Sequence, residues 1–136
     1  GIATLEKQDG EDAVARVHDH GGKLKSGIGQ IRQRHGLEAA IKVVGGEWWP
    51  GLQISAPEPI GDVLFTSLLR QELYAAGILQ LATFNISLAH TQSGILAETL
   101  RRWDVAAGML ADHLHANDPK ARLRGEEIRP IFQVRN

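Results

Sequence analysis

The chain of 136 residues contains no cysteine, which excludes a disulfide framework and a thiolate metal centre. It also lacks any apolar run near the roughly twenty residues that cross a bilayer. Neither sign of charge is in excess, because 15 Lys and Arg balance 16 Asp and Glu. We therefore expect no binding to nucleic acid and no membrane association. The absence of cysteine fits a reducing compartment, so we expect a cytoplasmic protein.

Three long segments carry apolar residues at intervals of three and four, and each pattern predicts an amphipathic helix. The first helix is expected from about residue 11 to 35, with Gly36 just beyond its end. The second should end at Gly77, and Thr91 is the expected N-cap of the last. The apolar positions are Val14, Val17, Gly21, Leu24, Ile28 and Ile31, then Phe65, Leu68, Leu69, Leu73 and Ala76, and finally Leu96, Leu100, Trp103, Ala107, Leu110 and Leu114.

Short β-branched or alternating segments between these helices indicate strands. Residues 41–44 and 52–55 flank an aromatic loop and predict a β-hairpin. Residues 78–79 and 85–88 are two further strand candidates. The order α-β-β-α-β-β-α predicts an α+β fold, in which a small, mostly antiparallel sheet is covered by helices on one face. The hydrophobic fraction of 43% is enough for one core, so we expect a single domain over residues 1–136.

The hairpin loop holds two adjacent tryptophans, Trp48 and Trp49, followed by Pro50. Neighbouring residues of a strand point to opposite faces, so both rings cannot face the same side of the sheet. One interpretation is that one ring contacts another domain or subunit. The other is that the two rings fill separate core positions on either side of the sheet.

The histidines do not predict a metal site. His18 and His20 lie two residues apart on a predicted helix, as do His113 and His115, and this spacing points each pair to different sides. We therefore expect no metal. His90 differs because it lies one residue before the expected helix cap, where its ring can bond to the backbone and hold the turn. A structural role for His90 is preferred to a functional one.

A set of short motifs, in order and spacing, covers nearly the whole chain. The motifs are Ala3-Thr4-Leu5-Glu6, Gly22-Lys23-Leu24-Lys25-Ser26-Gly27, His35-Gly36-Leu37, Val43-Val44-Gly45, Gln71-Glu72-Leu73, Gly77-Ile78-Leu79, Asn85-Ile86-Ser87-Leu88-Ala89-His90-Thr91, Leu123-Arg124-Gly125 and Arg129-Pro130-Ile131-Phe132-Gln133-Val134-Arg135. Together they resemble the C-terminal small domain of class III pyridoxal-phosphate-dependent aminotransferases, a fold-type I family. The resemblance is to the glutamate-1-semialdehyde 2,1-aminomutase-like branch.

The resemblance implies that the chain is a fragment whose pyridoxal phosphate is held by an upstream large domain. The cofactor-binding and catalytic residues would lie in that domain and none in this chain, since lysines 7, 23, 25, 42 and 120 stand outside the family's lysine motif. The implied role is to close the active site and to help form a homodimer, while the isolated piece is catalytically silent. A free-standing small-molecule-binding or regulatory α+β module is the alternative.

The resemblance also identifies candidate residues for the substrate side of the active site: Ala82, Thr83, Phe84 and Asn85. His90 and Thr91 are assigned structural roles. Aminomutases of this branch usually carry an acidic residue near Ala82, so its absence favours transamination. Relatives also tend to have an acidic residue at the position of Gly94, three after Thr91, where it would complete a capping box.

Overall fold

The computed structural model describes residues 12–128. Within this range the chain forms helix α1 (Ala13–Arg34), strands β1 (Ile41–Val44) and β2 (Gly51–Ile54), helix α2 (Gly61–Ala75) and helix α3 (Ile95–Leu114). Two short 3-10 helices cover Leu88–Thr91 and Lys120–Arg122. The motifs predicted in residues 3–6 and 129–135, together with Lys7, lie outside the described residues.

The sheet confirms the predicted α+β class. Strands β1 and β2 pair antiparallel, with Ile41 opposite Ile54 and Lys42 opposite Gln53. Ile41 is completely buried and Ile54 packs against the same core, whereas Lys42 and Gln53 are exposed. Alternate residues of a strand face opposite sides, so the helices cover one face of this sheet and the other face, which carries Lys42, Val44 and Gln53, is exposed.

Helix α3 lies at the centre of the core, since it packs against both α1 and α2. Its Trp103 is fully buried together with Ile28 of α1 and Phe65 of α2. The predicted apolar faces are thus confirmed at most positions, because the 3.6-residue period places them on one side of each helix. Val14 is an exception, with 70% of its surface exposed near the start of α1.

Two glycines end helices as expected. Gly36 and Gly77 both have positive φ angles, 67° and 79°, which side chains with a Cβ rarely adopt. In each case the next residue donates back into the last turn, from Leu37 N to Arg32 O and from Ile78 N to Leu73 O. This is the hydrogen-bond pattern of a Schellman motif, so these two boundaries follow directly from local chemistry.

The two additional strand predictions were wrong. Residues 78–79 are irregular, and residues 85–88 run into the 3-10 helix. The extended segment instead lies between them, where Thr83 forms an antiparallel bridge with Gly51. Leu52 N donates to Ala82 O at 2.9 Å, and Phe84 N donates to Pro50 O at 2.8 Å. The free backbone groups at the edge of β2 therefore select the pairing segment, which side-chain alternation does not reveal.

The predicted N-cap at Thr91 was also wrong. Helix α3 begins after Gly94, whose φ of 84° is left-handed. The Thr91 hydroxyl donates to Leu88 O at 2.8 Å within the 3-10 helix and accepts a bond from Arg16 Nη2 at 2.7 Å. Because these contacts already engage the hydroxyl, Thr91 closes the preceding turn instead of capping α3.

Candidate functional site

The substrate-side candidates form one short stretch, residues 82–85, which we call the edge segment. Its bonds to β2 use Ala82 O and Phe84 N. In an antiparallel pair the intervening residue directs its backbone groups the other way, so the N–H and C=O of Thr83 face the free side of the sheet. Ala82 and Asn85 are exposed, while Thr83 and Phe84 are half-buried.

The tryptophan loop is attached to this edge segment. Trp49 Nε1 donates to Asn85 Oδ1 at 3.0 Å. The rings of Trp48 and Trp49 stack with centroids 6.0 Å apart, and the two residues are 56% and 49% exposed. The interpretation that both rings fill core positions is therefore wrong. Sequence reasoning missed that the rings stack on each other.

The loop owes its position to a glycine on α1. Gly21 is buried, and a Cβ at this position would overlap the carbonyl oxygen of Glu47. Only a residue without a side chain lets the helix approach the loop backbone this closely. Gly21 thus positions the tryptophan loop, and through Trp49 it also positions the edge segment.

His90 closes the turn that follows the edge segment. Its Nδ1 accepts a hydrogen bond from Ser87 N at 3.0 Å and lies 3.0 Å from Ser87 Oγ. Since Nδ1 accepts from a backbone N–H, the neutral ring carries its proton on Nε2. His90 and Thr91 thereby join the edge segment to α1, because Thr91 accepts a bond from Arg16.

A cavity of about 430 Å³ lies between the edge segment, α1 and α3. Thr83, Phe84, Asn85 and His90 line it, so the cavity brings together four of the six residues singled out in the sequence. Ala82 and Thr91 are not part of its wall. The remaining lining includes His20 and Leu24 of α1, Thr99 of α3, and residues 77–81.

His20 is the functional candidate that the sequence did not reveal. Only 8% of its surface is exposed, and its ring makes no hydrogen bond to the residues that the structure describes. Burial lowers the pKa of His20, and the nearby His90 lowers it further. The sequence signal that could have identified His20 was its position on the buried face of α1, one residue before Gly21.

The floor of the cavity is polar and rigid. Trp103 Nε1 donates to Gln80 Oε1 at 3.0 Å, which fixes the orientation of the Gln80 amide. Gln80 is only 4% exposed, and its Nε2 has no hydrogen-bond partner among residues 12–128. A buried amide without a partner is costly in a folded protein, and a bound water or ligand is one way in which its hydrogen bond is satisfied.

Large apolar side chains stand exposed at the rim of this cavity. Leu79 is 86% exposed and Leu81 is 65% exposed, and both line the cavity on the way into the edge segment. Trp48 and Trp49 do not line the cavity, but Trp49 is bonded to Asn85 in its wall. We call these four exposed side chains together the apolar rim. Clusters of exposed apolar surface of this kind are typical of contacts with another domain or subunit.

The lysines do not form a Schiff-base site within the described range. Lys23 pairs with Asp19 at 2.6 Å on the surface of α1, and Lys42 and Lys120 are exposed. Lys25 Nζ donates to Gly45 O at 2.7 Å. A Schiff-base lysine is typically desolvated in an apolar pocket or placed next to another cationic group, and none of these four side chains is buried in such a pocket.

The histidine pairs contact different groups, as their spacing predicts. On α1, His18 lies 3.8 Å from Glu47 while His20 faces the cavity. On α3, His113 lies 3.0 Å from Glu72, and His115 contacts Ala111 O. Residues 12–128 contain no cluster of three or more side chains suited to holding a metal ion. In the same range no helix has the length and apolar character needed to cross a membrane.

Comparison with known proteins adds no relative. No protein-family model matches the chain, and neither a curated protein nor a solved structure matches it. The resemblance to an aminotransferase small domain therefore depends on the ordered motifs alone.

Proposed function

We propose that this chain is the C-terminal small domain of a cytoplasmic pyridoxal-phosphate-dependent aminotransferase, and that it closes one side of the active site. The observation that carries the proposal is the edge segment, which lies at the free edge of the sheet. It is held there by backbone bonds to Pro50 and Leu52 and by the Trp49–Asn85 bond. A rigidly placed edge suits the positioning of a substrate against a reactive group on another domain.

In this proposal the large domain supplies the cofactor and the reactive lysine. Pyridoxal phosphate would provide the electron sink for moving an amino group. The small domain supplies shape and hydrogen bonds at Thr83 and Asn85. Ala82 lacks a carboxyl group, so we favour transamination over the aminomutase reaction.

The apolar rim supports a partner surface beside the edge segment. The exposed apolar area of this rim belongs to Leu79, Leu81, Trp48 and Trp49. Exposing this area to water does not stabilise an isolated domain, whereas burying it against a partner does. We assign this surface to the upstream domain of the same protein or to the second subunit of a homodimer. Interfaces that become buried in this way favour aromatic anchors, as the two tryptophans provide.

The test is to express the complete reading frame that encodes this chain and to assay it with a panel of amino donors and 2-oxo acids. We expect a visible absorbance band from lysine-bound cofactor and measurable transamination. The substitution Asn85→Ala should raise KM more than it lowers kcat, because it alters the substrate side and not the reacting atoms. Gln53→Ala, on the exposed face of the sheet, is the matched control.

Two outcomes would contradict the proposal. One is a complete protein with neither the lysine-bound cofactor band nor transaminase activity. The other is an absorbance band of lysine-bound cofactor in the isolated chain. A lysine of this chain would then bind the cofactor, a role that we assign to the upstream domain.

The second candidate function is a free-standing small-molecule-binding module. The cavity favours it, because residues of this chain alone form its walls and one of them, Gln80, has a buried amide nitrogen without a hydrogen-bond partner among residues 12–128. A reading frame that encodes no large domain, together with a stable monomer in solution, would select this candidate over the first.

A further inference from the structure

Two imidazole rings face the same cavity from different elements of the fold. His20 comes from α1, and His90 comes from the 3-10 helix after the edge segment. They are close enough for the charge of His90 to lower the pKa of His20. An isolated pair of histidines that disfavour each other's protonation gains stability when an anion lies between them.

Each ring has a hydrogen-bonding group free for a ligand. The Nδ1 atom of His90 is occupied by Ser87 N, which leaves Nε2–H as a donor. His20 as a residue is only 8% exposed, and its ring makes no hydrogen bond within residues 12–128. Its ring nitrogens are not among the fully buried side-chain atoms that lack a partner, so they face the cavity and are available to a ligand.

The other residues that line the cavity indicate the chemistry of the rest of the ligand. Leu24, Ile78, Phe84 and Ile86 provide an apolar lining, and Thr99 adds a hydroxyl. A cavity of about 430 Å³ is in the range of small-ligand sites, which are mostly apolar with a few polar groups that orient the ligand. A compact molecule with an apolar body and one acidic end matches this lining.

We propose that the cavity binds a small carboxylic acid, with its carboxylate between His20 and His90 and its apolar body against Leu24 and Phe84. The inference does not rest on the proposed aminotransferase function, because every group it uses lies in this chain. It names a ligand class and an anchoring pair of residues that the accessory role does not require.

Binding should be linked to proton uptake by His20. The groups that act on this ring are Asp19 and Lys23 on its own helix and His90 across the cavity, whereas Thr99 and the edge segment contribute no charge. Burial keeps the unliganded ring neutral near pH 7, and a bound carboxylate favours its protonated form. Affinity should therefore rise as the pH falls from about 7 toward 5, by at most about tenfold per pH unit for one proton.

The experiment uses the full chain labelled with ¹⁵N in its histidine rings and titrated with phenylacetate. We expect ring-nitrogen shifts at His20 and His90 and a Kd several-fold lower at the acidic end of that range. The alcohol 2-phenylethanol has the same apolar body without the carboxylate, and it should bind at least about tenfold more weakly. A group without a role in the cavity, His115, should show no shift, since it contacts Ala111 O at the end of α3.

Two variants separate binding from folding. His20→Leu removes the anchoring ring while avoiding an unpaired polar group, so the fold should persist and phenylacetate binding should fall at least about tenfold. Thr99→Ile leaves both histidines in place and fills the cavity, and it should abolish binding. His115→Leu is the matched control and should bind like the original chain.

The proposal is overturned if phenylacetate causes no shift at His20 or if the alcohol binds as tightly as the acid. It is equally overturned if a folded His20→Leu variant retains full affinity. Thermal unfolding of each variant establishes that it is folded. The aminotransferase proposal is tested separately, by the cofactor absorbance band and by transamination in the complete protein. Its failure can therefore be distinguished from failure of the carboxylate-binding proposal.

Discussion

Trp49 and Asn85 are joined by a hydrogen bond of 3.0 Å that connects the hairpin loop to the edge segment across 36 residues of sequence. The bond runs from an indole N–H to an amide oxygen, and it lies at the surface. It is the direct link between the aromatic loop and the residues assigned to the substrate side.

Replacing Trp49 with Phe should lower the free energy of unfolding by about 0.5–1.5 kcal/mol, because the indole N–H donor is lost while a smaller aromatic ring remains. Denaturation in urea measures the change. Trp48→Phe is the control, since Trp48 stacks on Trp49 but donates no hydrogen bond within residues 12–128. Equal losses for the two variants would show that the hydrogen bond does not hold the loop.

Gly21 and Gly29 lie on the same helix and should respond to alanine in opposite directions. A Cβ at Gly21 would overlap the Glu47 carbonyl, whereas a Cβ at Gly29 meets nothing within 4 Å. We expect Gly29→Ala to stabilise the protein by about 0.5–1 kcal/mol through helix propensity. Gly21→Ala should destabilise it by about 1–3 kcal/mol through overpacking, despite the same gain. Chemical denaturation of both variants gives the comparison, and a stabilised Gly21→Ala variant would refute the close approach.

The carboxylate of Glu72 should make the fold sensitive to acid. Its side chain is 6% exposed and accepts hydrogen bonds from Gln71 at 2.7 Å and Arg124 at 2.7 Å, while His113 lies 3.0 Å away. Burial alone would raise the pKa of Glu72, but the bonds from Gln71 and His113 and the charge of Arg124 together lower it. A depressed carboxyl pKa contributes stability above the unfolded value of about 4.3, and this stability is lost as the pH falls through the folded pKa.

Glu72→Gln should therefore cost about 1.5–3 kcal/mol at pH 7 and flatten the loss of stability in acid. Urea midpoints measured from pH 7 down to pH 3 test both effects. Asp19→Asn breaks an exposed helix pair with Lys23 and should cost only about 0.3–0.5 kcal/mol. An unchanged pH profile in Glu72→Gln would assign the acid sensitivity to other groups.

Trp103 should be essential for the floor of the cavity. The residue is fully buried, and its Nε1 is bonded to Gln80 Oε1. Trp103→Phe leaves this buried oxygen without its donor, which should cost at least about 1–3 kcal/mol, and it also leaves a void. We expect Trp103→Phe to lower the melting temperature, and the surface substitution Trp48→Phe to lower it less. A melting temperature unchanged by Trp103→Phe would show that Gln80 has another partner.

Periodicity was sufficient to predict the helices and the hairpin. The buried positions of α1, α2 and α3 recur at helical spacing. Gly36 and Gly77 mark two helix ends, because the backbone there has a positive φ angle that glycine adopts readily. The hairpin was visible because β-branched and alternating residues flank a loop with glycine and proline. These features are encoded within a few neighbouring residues of each element.

The candidate site was only partly predictable. Thr83, Phe84 and Asn85 were predicted as substrate-side residues and His90 as a structural residue, and all four line the cavity. The site residue His20 was missed, because a histidine on the buried face of a helix has no local signature that separates a core position from a ligand position. The prediction of a strand over residues 85–88 was wrong, because the edge of β2 determines which residues pair with it. The pairing uses Ala82 and Phe84 instead.

The sequence by itself determined the class of fold, the apolar faces and the glycine-terminated helix ends, since these depend on period and backbone preference within short stretches. Only the tertiary structure decided which segment extends the sheet, how the tryptophans stack and which polar groups are buried without partners. Those features arise from contacts between residues far apart in the chain, such as Gly21 with Glu47 and Trp49 with Asn85. Their energies depend on distance and burial, which become defined only when the helices pack around Trp103.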